Sequence, residues 1–202
     1  MRDIYIATED ALSEAVVERL TEETQGRLRV SDRIGKTGAG DLRKRLPELV
    51  RLAPAIPVVL LTDLDLKPCA AGLVTEWLHN LTRPQTLLLR IAVREVEAWL
   101  LADQQAFGTC FRIPPSKLPN DPESLPDPKQ MLLNLIQRHA PKKLKQDIVV
   151  DRGSGPRQGL AYNLRLIDFV RNQWNPERAA TSADSLARAR RRIGELAAKE
   201  FW

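Results

Sequence analysis

Apolar positions follow a period of two in some stretches and of about 3.6 in others, and the alternation of the two lays out the first half of the chain. Asp3 to Thr8 alternates β-branched and aromatic residues and predicts a strand. Ala11 to Glu22 then carries Leu12, Ala15, Val16 and Leu20 at helical spacing, with Asp10 placed to cap its first turn. Arg27 to Asp32 predicts a short second strand, and Asp41 to Leu52 a helix. Ala55 to Thr62 is a short apolar run, read as a buried strand over Ile56 to Thr62. A helix over about Cys69 to Asn80 follows, with Leu73, Trp77 and Leu78 inward, and Thr86 to Val93 predicts a fourth strand. Strands joined by helices in this order imply a parallel sheet with right-handed crossovers. The fold expected is therefore α/β, a parallel sheet of about four strands with helices on both faces.

Beyond residue 94 the periodicity is mostly helical. Arg94 to Asp103 places Val96, Trp99 and Leu100 at i, i+3 and i+4, a buried stripe. Residues 108–128 hold six prolines and read as an irregular excursion. Asp127 to Arg138 looks helical, Lys142 to Lys145 reads as a basic turn, and Asp151 to Gly159 as a glycine-rich loop with two arginines. Helices over about Leu160 to Trp174 and from Ala183 onward end the chain toward Phe201-Trp202, the last carrying Arg188, Arg190, Arg191 and Arg192. The expected organisation is an α/β core over 1–107 and a mostly helical extension over 108–202, packed on that core.

Composition narrows the function classes. The two cysteines, Cys69 and Cys110, are too far apart in sequence for a zinc motif or a disulfide framework, and the histidines, His79 and His139, add no ligand spacing. Any metal must then be held mainly by carboxylates. No apolar run reaches membrane-spanning length, and the N-terminal residues carry no signal-peptide pattern, so the expected location is the cytoplasm, with no membrane partner. The net charge of +5 is unevenly spread, with Lys and Arg concentrated in 27–51, 142–145 and 188–192. A basic chain with a carboxylate cluster fits a polyanionic substrate, although each basic group taken singly is also what a solvated helix face looks like.

The acids sit where strands end. Glu9 follows the first strand, Asp63 and Asp65 close the third, and Glu95 and Glu97 follow the fourth. The carboxyl edge of a parallel sheet is where open α/β folds place ligands. Two aspartates one residue apart on a strand share a face, and their repulsion is relieved by a cation between them, Mg²⁺ or Mn²⁺ for hard oxygen ligands. The alternative is that Asp65 caps the next helix and Asp63 is a turn residue. A helix starting at residue 95 would turn Glu95 and Glu97 apart by about 200°, leaving at most one of them facing the site. In the glycine-rich stretch Ile34 to Gly40, Gly35-Lys36-Thr37 precedes the other glycines, which departs from a nucleotide-binding P-loop and favours a loop that contacts nucleic-acid phosphate.

A glutamate after the first strand and Asp63-Leu64-Asp65 after the third together resemble the Toprim fold of topoisomerases, primases and overcoming-lysogenization-defect nucleases. Arg94 to Asp103, Tyr162 to Val170 and Trp174 to Ala179 are similar to stand-alone bacterial Toprim-like proteins, and that likeness covers nearly the whole chain. The resemblance implies a Mg²⁺- or Mn²⁺-dependent nuclease acting on DNA or RNA, working in antiviral defence or as a toxin-type effector with an ATPase partner. Asp63 and Asp65 would hold the metal, Glu9 would bind it or act as general acid/base, and Glu97, or else Glu95, would add a ligand. Lys36, Lys67, Arg94 and Arg157 are the candidate phosphate contacts. Homo-oligomers are left open. One departure is Asp10, where Toprim enzymes have a glycine after the glutamate. It keeps a catalytically silent binding subunit of an ATPase complex as an alternative. A phosphoacceptor receiver-like domain is a further one, set against by the lack of a Ser/Thr after the fourth strand and of a clear fifth strand.

Overall fold

The computed structural model describes residues 1–151, 153 and 155–199. The chain opens with β1 (Arg2–Thr8), α1 (Ala11–Glu22), β2 (Leu28–Gly35), α2 (Ala39–Leu52), β3 (Val58–Asp63), α3 (Ala70–Leu78) and β4 (Leu87–Ala92). The four strands make one parallel sheet in the order β2-β1-β3-β4. The expected α/β architecture holds.

The period of two sorts the strand residues onto two covered faces. Ala7, Val58, Leu60, Leu87, Leu89 and Ile91 pack with Leu42, Leu46 and Leu49 of α2 and with Leu73 and Trp77 of α3. The intervening Ile4, Ile6, Val59, Leu61 and Leu88 are also buried, on the opposite face, where α1 packs over β1, β2 and β3. With both faces covered, β3 reads as a continuous apolar run instead of an alternating one.

Local chemistry sets the element ends. Asp10 caps α1, its Oδ1 accepting from the Ser13 amide at 2.8 Å. β2 runs three residues further than its apolar pattern, as far as Gly35, which has φ +108° and sits so close to β1 that any Cβ would strike the Thr8 carbonyl. Only glycine fits both demands. The loop that follows is tied to the end of β1: the Lys36 amide donates to the Thr8 carbonyl at 2.9 Å and the Gly38 amide to that of Glu9 at 3.0 Å.

The strand order reverses at β1. The first crossover moves one way to β2, the second returns past β1 to β3, and the third continues outward to β4. A topological switch point therefore opens between the carboxyl ends of β1 and β3.

The chain divides into two compact units, one comprising Met1–Val93 with the residues from Arg188 on, the other Arg94–Ala187. The division thus falls earlier than residue 107, and most of the last helix belongs with the sheet. The second unit contains α4 (Val96–Ala102), α5 (Gln104–Phe111), 3-10 turns at Pro115–Lys117 and Pro122–Ser124, α6 (Pro128–His139), α7 (Lys142–Ile148), a hairpin of β5 (Val149–Asp151) and β6 (Pro156–Gln158), α8 (Tyr162–Asn172) and α9 (Pro176–Ala179). α10 (Asp184–Ala198) starts in this unit. Three expectations are corrected here. Lys142 to Lys145 begins a helix and is not a turn. Asp151 and Pro156–Gln158, expected in a loop, are strand residues: β-branched Val149-Val150 and Asp151 pair antiparallel with Pro156–Gln158. Val96, Trp99 and Leu100 are buried as expected, but so is every other residue of α4, Glu97 included, so burial is not confined to one stripe. Arg152 and Phe201-Trp202 lie outside the described residues.

A buried polar network pins the second unit. Asp103, fully buried, accepts from the Arg178 Nε at 2.6 Å and Nη2 at 2.8 Å, and from the Asn175 amide at 2.8 Å. Beside it the Trp174 indole donates to the Trp99 carbonyl at 3.1 Å, and the Trp99 indole to Ser185 Oγ at 2.8 Å. Phe107, Phe111 and Phe169 stack their rings edge-on or tilted in the same core. A carboxylate this deep is tolerated only while its bidentate partner stays. Arg178→Ala is accordingly expected to lower unfolding free energy by about 3–5 kcal/mol in urea titrations. A loss below about 1 kcal/mol would show that the pair does not hold the unit together.

Candidate functional site

Glu9 leaves the end of β1 as the first residue past the strand, and its side chain crosses the switch point. Its Oε1 accepts a hydrogen bond from the Thr62 hydroxyl and another from the Asp63 amide, the latter at 2.9 Å. Two adjacent residues of β3 thus hold one carboxylate oxygen of a residue 53 and 54 positions before them. Burial raises the Glu9 pKa above the ordinary glutamate range; the Thr62 and Asp63 hydrogen bonds pull it back, and the charges of Asp65 and Asp10 add to the rise.

Asp63 is the last residue of β3, half-buried, and Leu64 behind it is buried with its amide on the Ala92 carbonyl at 2.9 Å. Asp65 lies beyond the strand, exposed, with φ +50°. Strand alternation therefore ends at Asp63, and a left-handed turn, which aspartate tolerates better than most residues, presents Asp65 instead. The helix cap next to it is Cys69, whose Sγ accepts from the Gly72 amide at 3.3 Å, so Asp65 is not the cap of α3.

Asp63 and Asp65 both line a cleft of about 610 Å³ between the start of α2, the β3–α3 loop and α3. Thr62, Gly40, Leu66 and Trp77 are among its other walls. Glu76 stands there between two cations, Lys67 and Arg43, each at 2.8 Å. The Lys67 hydrogen bond, with Arg43 beside it, holds the Glu76 carboxyl below its usual range.

The remaining expected residues have other partners. Lys36 pairs with Glu14 at 2.9 Å, and Lys67 with Glu76, so both expected phosphate contacts already carry a protein carboxylate. Arg94 is half-buried at the start of the second unit, and Arg157 is exposed on β6. Glu95 and Glu97 belong to the second unit too. Glu97 is buried, accepts from the Tyr162 hydroxyl at 2.7 Å and lies 3.9 Å from Lys129 Nζ, which also sits over the Tyr162 ring. Glu95 accepts from the Lys129 amide at 2.9 Å. Its pKa is pushed up to about 7 by burial first, with the charge of Glu97 adding to the rise and the Lys129 hydrogen bond opposing it.

The donor set at the cleft bears on the metal expected there. Among the described residues no three carboxylate, histidine or cysteine side chains converge as a ready-made metal cage. Mg²⁺ does not ask for one: it is commonly bound by one or two carboxylates, with waters and substrate phosphate completing the octahedron. Asp63 and Asp65, on the wall of an open cleft, are donors of that kind. Thr62 joins the site without having been expected there, although a lone hydroxyl closing an apolar strand just before Asp63 is a signal in the sequence. Arg43 and Glu76 left no signal, being helix-surface residues in any linear view.

A carboxyl whose pKa is raised on folding stabilises the fold fully below its unfolded value, and that contribution is lost as pH rises through the folded value. Glu9→Gln keeps an oxygen for Thr62 and Asp63 and removes the charge. In chelator-containing buffer its urea midpoint is expected to exceed that of the unmodified protein at pH 7.5 and to match it at pH 4. A lower midpoint at pH 7.5 would mean that ionised Glu9 is a stabilising group, contrary to its burial.

In comparisons with known proteins, the chain matches no family model, no curated protein and no solved structure.

Proposed function

We propose that this protein is a Mg²⁺- or Mn²⁺-dependent nuclease that hydrolyses phosphodiester bonds of DNA or RNA at the β1–β3 switch point, as the Toprim resemblance implies. The observation that carries the reading is the Glu9 carboxylate bound across the crevice to Thr62 and Asp63, beside a cleft walled by Asp63 and Asp65. In this reading Asp63 and Asp65 hold the divalent ion, which polarises the phosphate when bound. Water adds to phosphorus, the bond to the leaving oxygen breaks, and that oxygen takes up a proton. Glu9 is suited to manage the proton, since burial keeps its carboxyl protonated to a higher pH than an exposed glutamate. A tyrosine nucleophile finds no support. Tyr162 is fully buried on Glu97, and Tyr5 lies within β1.

A silent binding subunit of an ATPase complex is the second reading. It is favoured by Asp10, whose side chain caps α1 where a glycine would open the turn to phosphate, and by the two donors already on Glu9 Oε1.

Purified protein incubated with Mn²⁺ or Mg²⁺ is expected to cleave plasmid DNA or RNA, chelator to stop it, and Asp63→Asn to slow it by roughly 100-fold or more without loss of folding. Cleavage that survives in Asp63→Asn would place the chemistry elsewhere. A folded protein that cleaves neither polymer with either metal would favour the silent subunit.

A further inference from the structure

Lys36 and Lys67, expected to meet phosphate near the glycine-rich loop and the cleft, each have a carboxylate of their own, whereas in another group two arginines divide one between them. β4 is the last strand of the sheet, and Arg90 on it points to the face opposite Leu89 and Ile91, which pack with α2 and α3. Its Nε is buried and has no hydrogen-bond partner among the described residues. Arg83, exposed, precedes the same strand. The far end of α10 lies alongside: Lys199 Nζ reaches Gln85 Oε1 at 3.4 Å, and Arg190 pairs with Glu23 at 2.8 Å. α10 buries Ala189, Ile193 and Leu196, which leaves Arg191, Arg192 and Glu195 together on another side of the helix. Glu195 is 2.5 Å from Arg192 and 3.8 Å from Arg191. Burial and then the charges of Arg83, Arg192 and Arg191 bring the Arg90 guanidinium down to about 10, with Glu195 opposing. Among the described residues, Glu195 pairs with Arg191 and Arg192 and is the carboxylate whose charge opposes the three arginines around Arg90.

An inward-turned charge on an edge strand is a known guard against strand addition. That accounts for Arg90 alone. It does not account for three further arginines drawn around it at a cost in mutual repulsion, nor for a buried donor with no acceptor among the described residues, which destabilises the fold by itself. A planar donor fork among like charges is what phosphate recognition uses. Arg90 pairs in register with Leu61, two residues, or about 7 Å, below the rim occupied by Asp63.

We propose that Arg83, Arg90, Arg191 and Arg192 form a phosphate-binding patch that holds the backbone of a nucleic-acid strand. The polymer class rests on the nuclease reading; the patch does not. The patch positions the strand and carries no base specificity.

Binding is measured by fluorescence anisotropy with labelled 20-nucleotide single strands of DNA and of RNA, in chelator so that no cleavage intervenes. Arg83→Gln/Arg191→Gln, both at exposed positions, is expected to weaken binding of at least one strand about tenfold at 0.1 M salt. It should also lower the slope of log affinity against log salt by about 1.4, two phosphate contacts at roughly 0.7 each. Arg29→Gln/Arg45→Gln removes the same charge from two surface pairs, with Asp3 and Asp41, and should leave binding within twofold. Equal weakening by both double variants would reduce the effect to net charge and overturn the patch, as would no weakening by the first, or no binding by the unmodified protein. Binding that depends on the patch in a protein that cleaves nothing would uphold the patch and sink the nuclease reading. Cleavage with patch-independent binding would do the reverse.

Discussion

One carboxylate oxygen organises the site. Glu9 Oε1 receives the Thr62 hydroxyl and the Asp63 amide at the point where the strand order reverses. In a parallel sheet each strand end is an independent loop start, and nothing in backbone pairing alone sets the side chains of two ends against each other. The Glu9 contact does so for β1 and β3. It ties the backbone of Asp63 to the first strand, and it holds a half-buried acid where desolvation works against its charge. The loop after β2 closes the arrangement from the other side, with Gly35 against Thr8 and the Gly38 amide on the Glu9 carbonyl. Three consecutive connections of the sheet therefore meet at one residue.

The second unit is built on different chemistry. Its anchors are a buried ion pair, Asp103 with Arg178, two indole donors and a second buried glutamate, Glu97, under Tyr162. Arg94 to Asp103, Tyr162 to Val170 and Trp174 to Ala179 supply nearly all of these anchors. The internal packing of this unit largely explains their side chains. A polar network of this kind is demanding, since each member must stay satisfied.

Much of the sheet was legible in the sequence, because buried parallel strands and amphipathic helices leave strong periodic signals. α1 was expected over Ala11 to Glu22 and spans those residues, with Asp10 as its cap. Glu9, Asp63 and the crevice between them followed from strand ends alone. What periodicity could not show was direction and pairing. Asp65 reaches the cleft through a left-handed turn and not through strand alternation. Lys67 is adjacent to Asp65 in sequence and the Lys36 amide is bound to the end of β1, yet Glu14 and Glu76 from neighbouring helices pair with their ammonium groups. α7 was hidden because Lys142 to Lys145 lacks an apolar stripe, and the hairpin because its glycines dominate a short segment. The Arg90 group joins residues a hundred positions apart, which no linear window brings together.

The central claim is that Asp63 and Asp65, set by Glu9, present carboxylates to a divalent ion at the β1–β3 crevice. Anomalous diffraction from crystals soaked in Mn²⁺ addresses it most directly. A manganese peak within coordinating distance of Asp63 or Asp65, absent from Asp63→Asn crystals, is the predicted result. Manganese bound only elsewhere on the chain, or none at the cleft at millimolar Mn²⁺, would contradict the account.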